Sequence, residues 1–390
     1  MGSRQLVSRP ALAALAATLT SLGCAVALSA APASAAKPSP PPPPSADALP
    51  TYSTSVVGIS PQAAAKPTSS GKTIRSLTSD GGKFYVGHGD YLQNSGPTKV
   101  STFDPATRTF AESGLTAPTE EITTFRKING KLYAPWTDPT GTATANQGFS
   151  TNASGTWTNE FKAPAEHVFD VATLNGTDLW MVGSARWGTG GGAAAYRSTD
   201  GGKTWALAMK DTSATYGGYE RYYWAAPLNG KIYMQARDVY GGAPLRAFDG
   251  RSWTTQSLTP CTAVEARAVE VFAGKILCPN YLKGLVAFDG KTATTVLPQA
   301  LGNVLDFDIP GDGFVYALTP TGIFRSSDAM TWTGLARTPD LSWSIGVHNG
   351  TVYLGQRLNA TIVKVDGLNV ATATRTATTT SSCRGNSKNC

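Results

Sequence analysis

Two short turn signals recur in phase along most of this 390-residue chain, and no other feature limits its possible folds as strongly. The first is a Gly-Gly, Asn-Gly or related pair followed by an apolar-aromatic strand. It reads Gly81-Gly82-Lys83-Phe84-Tyr85, Asn129-Gly130-Lys131-Leu132-Tyr133 and Asn229-Gly230-Lys231-Ile232-Tyr233, with its second glycine at 82, 130, 176, 230, 274, 313 and 350. The second signal is an Asp or Asn turn, usually closed by an aromatic residue, as in Phe248-Asp249-Gly250-Arg251-Ser252-Trp253. Its acid or amide falls at 104, 152, 200, 249, 289, 328 and 366. An Asn-Gly pair supplies the positive φ of a tight hairpin, and the strand after it carries the β-branched and aromatic residues of a packed sheet. Two turns per unit, separated by a longer loop, make four strands in about 40–50 residues, the size of a propeller blade. The expected fold is therefore all-β: a seven-bladed β-propeller of four-stranded antiparallel blades over residues 72–374. Closing the ring removes free sheet edges.

Composition agrees with this. Charged residues make up 15% of the chain, with 41 Gly and 25 Pro. That is too little charge for long helices or coiled coils, and the 9% aromatic content is too high for disorder. The net charge of +7 is thinly spread and marks no nucleic-acid interface.

The ends of the chain read differently. Arg4 and Arg9 precede an Ala/Leu-rich stretch and an Ala33-Ser34-Ala35 cleavage site, which predicts a signal peptide over 1–35 and a secreted protein. No other segment is apolar and long enough to cross a bilayer, so the mature chain is expected to have no transmembrane segment. Residues 36–71 form a Pro/Ala/Ser-rich linker whose Pro run favours an extended spacer. Within it, residues 52–59 form one strand-like piece able to close the last blade. Residues 375–390 are a Thr/Ser-rich tail. Four Cys remain after cleavage, and proximity in sequence favours the pairs Cys261–Cys278 and Cys383–Cys390.

One stretch carries a family resemblance. Ser198-x-Asp200-x-Gly202-x-Thr204-Trp205 is similar to the Asp-box (BNR) motif of sialidase-like propellers at each consensus position, and Ser326-x-Asp328 to Trp332 resembles a shortened copy. The resemblance implies a structural turn between third and fourth strands, with Asp200 bonding backbone N–H groups and Trp205 packing between blades. Sialidases use a tyrosine nucleophile. The family pattern also needs an early Phe/Tyr-Arg-Ile/Leu-Pro segment, which is absent here, and an arginine triad that Arg126, Arg221 and Arg267 could mimic.

Blade geometry puts the short turns on one face and the longer second-to-third strand loops and blade-to-blade links on the other. Function is expected on the long-loop face. The candidate ligand-binding residues there are His88, Tyr91, Trp136, Asp138, His167, Arg186, Trp187, Tyr219, Glu220, Arg221, Arg237, Asp238 and Tyr240. Aromatic platforms with planar polar groups suit a glycan or another polar cell-surface ligand. Acidic residues abound, but spacing selects no pair for glycoside hydrolysis. The expected function is non-catalytic binding by a monomer, with a glycoside hydrolase or lyase and a protein-interaction scaffold as alternatives. No Gly-rich nucleotide loop, nucleophile elbow or zinc signature occurs, so no cofactor is expected. Asp306-x-Asp308 with Asp312 is a weak Ca²⁺ candidate.

Overall fold

The computed structural model describes residues 45–140, 145–186, 190–212, 220–237 and 242–371. Their 28 strands form seven four-stranded antiparallel sheets. The first strand, β1 (Thr54–Ile59), belongs to the last sheet. Blade 1 is β2 (Ser76–Asp80), β3 (Lys83–Gly87), β4 (Thr98–Asp104) and β5 (Thr109–Ala117). Blade 2 is β6 (Arg126–Ile128), β7 (Lys131–Pro135), β8 (Gln147–Thr151) and β9 (Thr158–Ala163). Blade 3 is β10 (Ala165–Thr173), β11 (Leu179–Ala185), β12 (Ala193–Ser198) and β13 (Ala206–Asp211). Blade 4 is β14 (Arg221–Leu228), β15 (Lys231–Arg237), β16 (Gly242–Phe248) and β17 (Trp253–Gln256). Blade 5 is β18 (Glu270–Phe272), β19 (Lys275–Asn280), β20 (Gly284–Phe288) and β21 (Ala293–Pro298). Blade 6 is β22 (Asp306–Asp308), β23 (Val315–Leu318), β24 (Gly322–Ser326) and β25 (Thr333–Arg337). Blade 7 is β26 (Ser342–His348), β27 (Thr351–Gln356), β28 (Thr361–Asn369) and, as its outermost strand, β1.

The ring therefore closes by pairing its N-terminal strand with its C-terminal one, Thr54 opposite Val365 and Ile59 opposite Thr361. This changes the reading of the seventh Asp-Gly signal. Asp366 and Gly367 lie inside β28 and make no hairpin, because the fourth strand comes from the other end of the chain. Asp366 instead takes the Ser55 hydroxyl at 2.9 Å, and its N–H donates to Ser53 O. Packed structure also begins before residue 72. Leu49 is buried in the blade 5–6 core, and Ala63 of α1 (Pro61–Ala64) is buried beside blade 1.

The glycine signals act as hairpin turns in five blades. At Asn129-Gly130 the φ values are 51° and 72°, and Asn229-Gly230 has 51° and 71°, a pair of left-handed residues that matches the strand twist. In blades 3 and 6 the connection is longer, with Asn175 accepting from Thr177 N and Asp178 N.

The acidic turns work through Asx-type capping. Asp249 Oδ1 accepts from Arg251 N and Ser252 N at 2.9 and 2.8 Å, and Asp289 does the same for Lys291 and Thr292. Asp200 gathers Lys203 N, Thr204 N, Thr204 Oγ1 and Ser198 Oγ, and those donors hold its carboxyl well below the usual carboxylate range. The closing aromatic then leans on the preceding blade. Trp157 meets Tyr85, Trp205 meets Phe149 and Trp253 meets Trp180, while Trp332 is buried with Leu277 and Leu285. Each such contact covers apolar surface between wedge-shaped neighbours, and the ring is held by these seams.

Candidate functional site

The innermost strands of blades 1 to 6 line a cavity of about 350 Å³. Their backbones splay from one blade to the next, so main-chain N–H groups at the axis lack a ladder partner. Inward carboxylates meet them. Asp170 of blade 3 accepts from Ala225 N of blade 4, and Asp306 and Asp308 of blade 6 accept from Ile345 N and Val347 N of blade 7. Arg126 fills the space between. Its guanidinium holds Asp170 at 2.7 Å, Glu270 at 2.5 Å and the carbonyl oxygens of Ala266 and Val269. Burial opposes the charge on Arg126, but Asp170 and Glu270 outweigh it. An arginine so occupied has no free edge for a substrate carboxylate, which removes it from a possible substrate triad.

On the long-loop face a set of charged and aromatic groups surrounds this axis, termed the mouth below. Of these, Arg267 lines the cavity, whose other lining residues extend toward the short-turn face at Ser79, Lys127, Thr173 and Ile309. Arg75, ahead of β2, pairs with the buried Glu121 of the blade 1–2 link at 3.0 Å. The blade 4–5 link supplies Glu265 and Arg267, which pair with each other. Arg267 also lies over the Trp343 ring at 4.8 Å, and Arg357 lies over the same ring at 4.5 Å. Arg237 caps Tyr281 at 4.8 Å. Tyr91 feels burial first and then the charges of Glu121 and Glu265, and these raise its phenol. Burial pushes Glu121 up to about 7 in spite of Arg75. Burial also acts on Glu265, yet Arg267 and Arg75 keep it lowered. Aromatic and charged groups from blades 1, 4, 5 and 7 and from the 1–2 and 4–5 links thus lie together on the long-loop face.

The architecture is a seven-bladed β-propeller. No protein-family model matches the chain, and no curated protein matches it by sequence. Solved propellers do resemble it. The extracellular domain of BT4673 from B. thetaiotaomicron, described as a one-component system, aligns with 81% of this chain at 12% identity and a TM-score of 0.50, and 42% of that chain is covered. YCF48 from Cyanidioschyzon merolae aligns with 77% of this chain and 97% of its own at 13% identity and a TM-score of 0.45. The propeller domain of the Trilobed protease from Pyrococcus furiosus aligns with 75% of this chain and 94% of its own, at 10% identity and a TM-score of 0.44. At these identities the likeness is one of fold.

A second cluster of the propeller lies where blades 2, 3 and 4 meet. His167 Nδ1 donates to Thr137 O at 2.8 Å, which leaves Nε2 as an acceptor facing Arg221 at 3.4 Å. Burial, then Arg221, lowers His167 to about 4. Asp138 lies 3.6 Å from His167 and is raised by burial to about 6. His167 stacks on Phe169, which packs on Tyr223 with Arg221 over its face. Glu220 is buried beside Arg221, and neither carboxylate oxygen has a hydrogen-bond partner among the described residues.

The expected site residues thus divide. Asp138, His167 and Arg221 come together, Glu220 is buried just before Arg221 in the chain, Tyr91 and Arg237 stand at the mouth, and Arg186 donates to Ala145 O at 2.7 Å. Trp187, Tyr219, Asp238 and Tyr240 lie outside the described residues, as do Cys383 and Cys390. Trp136 is fully buried, with Nε1 bonded to Ser150 Oγ, and serves the blade core rather than a ligand platform. His88 is buried as well, and burial lowers it to about 4. Cys261 and Cys278 form a disulfide, with Cα atoms 5.5 Å apart, that ties the 4–5 link to β19. Asp312 accepts from Tyr316 OH, and among the described residues no cluster of acids, His or Cys is arranged for a metal ion.

Arg75 and Lys66 are among the contributors that no sequence motif marks. Arg75 was not singled out, though it precedes an innermost strand much as Arg126 and Arg221 begin theirs. Lys66 lay in what read as linker. Its ammonium is held by the carbonyls of Ser95 and Pro97 and by Thr98 Oγ1, and it pins the loop that carries Tyr91.

Proposed function

We propose that this chain is a secreted, non-catalytic propeller that binds a glycan in the mouth of its long-loop face. The grouping of Tyr91, Tyr281, Trp343, Arg237, Arg267 and Arg357 on the long-loop face carries the reading. The exposed Tyr91 ring matches the C–H face of a pyranose, and guanidinium and carboxylate edges match its hydroxyls. The ion pairs Arg75–Glu121 and Glu265–Arg267 hold these groups in place before a ligand arrives, which lowers the ordering cost of binding.

One observation favours a glycoside hydrolase as the second reading. Glu121 is held near 7 while its electrostatic neighbour Glu265 is lowered, the separation of acid and base roles that such chemistry uses. A glycan array run beside a chromogenic glycoside panel separates the two. Binding without turnover, weakened by Arg237→Ala or Tyr281→Ala, supports the first. Turnover abolished by Glu121→Gln supports the second. Silence in both assays overturns both.

A further inference from the structure

The exposed large apolar side chains fall into two main groups: Val56, Ile59, Phe161 and Leu207 lie on outermost strands, and a larger group lies on the face that holds the mouth. Leu282 is 88% exposed, Leu92 67%, Leu341 50% and Leu358 44%, and all four sit in second-to-third strand loops or blade links of that face. They ring the mouth from blades 1, 5 and 7 and from the 6–7 link. On the opposite face the exposed large apolar residues among those described are Ile309 and Met330.

The loops are built to display these leucines. Leu341 and Leu358 have φ of 64° and 69°, a left-handed conformation that glycine or asparagine fills at lower cost. One main-chain polar group of each is also bonded within the fold. Leu92 N donates to Asp90 Oδ1, Leu282 N to Asn280 Oδ1 and Leu358 N to Thr73 Oγ1, while Leu341 O accepts from Arg357 N. A tip with its N–H already bonded can leave water without the large cost of a bare amide.

The arrangement inverts the usual protein interface, which has an apolar centre and a polar rim. Here charged and aromatic groups form the centre and leucines the rim. A soluble glycan gives a leucine nothing to bury itself in, whereas a lipid leaflet offers head groups for the centre and acyl chains for the rim. The flanking residues suit that boundary: Tyr91 beside Leu92, Tyr281 and Lys283 around Leu282, and Arg357 beside Leu358. Tyrosine rests at the membrane interface, and long cationic side chains reach back to water. We propose that the long-loop face docks on a lipid bilayer, with Leu92, Leu282, Leu341 and Leu358 entering the head-group boundary and the mouth facing a polar head group. The proposal rests on the mouth being a polar-ligand site.

The test is co-sedimentation of the full chain with mixed phosphatidylcholine–phosphatidylglycerol vesicles. It compares the wild type with a variant carrying Leu92→Ser, Leu282→Ser, Leu341→Asn and Leu358→Asn. Asparagine tolerates the left-handed backbone, so an unchanged melting temperature is expected. Wild-type protein should pellet, and the variant should bind at least about a hundredfold more weakly, as the loss of several buried leucines predicts. Wild-type protein that stays in solution overturns the proposal in favour of a protein partner. Equal pelleting of both forms overturns it too. The two readings fail separately. A blank glycan array with leucine-dependent pelleting removes the glycan reading alone, and soluble-glycan binding without pelleting removes the docking reading alone.

Discussion

Arg126 of blade 2 meets Glu270 of blade 5 at 2.5 Å, a contact between blades on opposite sides of the ring, while the same guanidinium holds Asp170 of blade 3. One side chain thereby ties three blades at the axis, and Asp170 extends the link to blade 4 through Ala225 N. Replacing Arg126 by Met leaves two carboxylates in low dielectric without their cation. The expected loss is about 3–5 kcal/mol of unfolding free energy, read by chemical denaturation. Arg126→Met combined with Asp170→Asn should recover part of it. Full stability in Arg126→Met alone would refute the axial role.

The closing tryptophans predict a graded series. Trp332 is 7% exposed in the seam between blades 5 and 6, so Trp332→Ala should cost about 3–5 kcal/mol. Trp205 is only partly buried against Phe149, and Trp205→Ala should cost less. Thermal melts of the two variants rank them, and a reversed order contradicts the seam argument.

The blades were legible because their turns need special backbone conformations and their strands need matching apolar residues. Both demands leave marks within a few residues of each other. The site was less legible because it is assembled from loops far apart in sequence. Trp136 and His88 follow second strands just as a mouth residue would, but whether such a side chain turns inward depends on the neighbouring blade. Ser150 and Phe161 draw Trp136 into the core. Asp366 carries the turn signal, yet its partner strand lies over 300 residues away in sequence, so no local pattern could reveal its role. Lys66 was hidden for the converse reason. A segment poor in apolar residues reads as linker, although Ala63 and Lys66 dock it on blade 1.

The disulfide gives a prediction that joins stability to the mouth. Cys261 and Cys278 are buried and separated by 17 residues, and the loop they close contains Glu265 and Arg267. Closing a loop of that length stabilises a fold by about 3 kcal/mol in the chain-entropy account. Reduction should therefore lower the melting temperature. It should also weaken ligand binding at the mouth beyond what global unfolding explains, because Arg267 is positioned from this link. An identical melting temperature with and without reductant would contradict the first expectation.

The pH dependence of stability follows from the buried carboxyls. Glu121 and Asp308 are raised to about 7 by burial. The folded state then keeps protons that the unfolded chain has already released above its ordinary carboxylate range. Where the folded form binds more protons, stability falls as pH rises, so these groups reduce it as pH rises through about 7 and leave it flat once they have ionised. His88 and His167 act the other way. Held neutral down to about 4, they make stability rise with pH until the unfolded histidines lose their charge near 6.5. The two effects overlap below about pH 6.5 and separate above it. The melting temperature should therefore decline between about pH 6.5 and 7.5. Glu121→Gln and Asp308→Asn should each flatten that decline, since neither replacement titrates. A wild-type profile that rises or stays level across this window would show that the carboxyls ionise in the folded state well below 7.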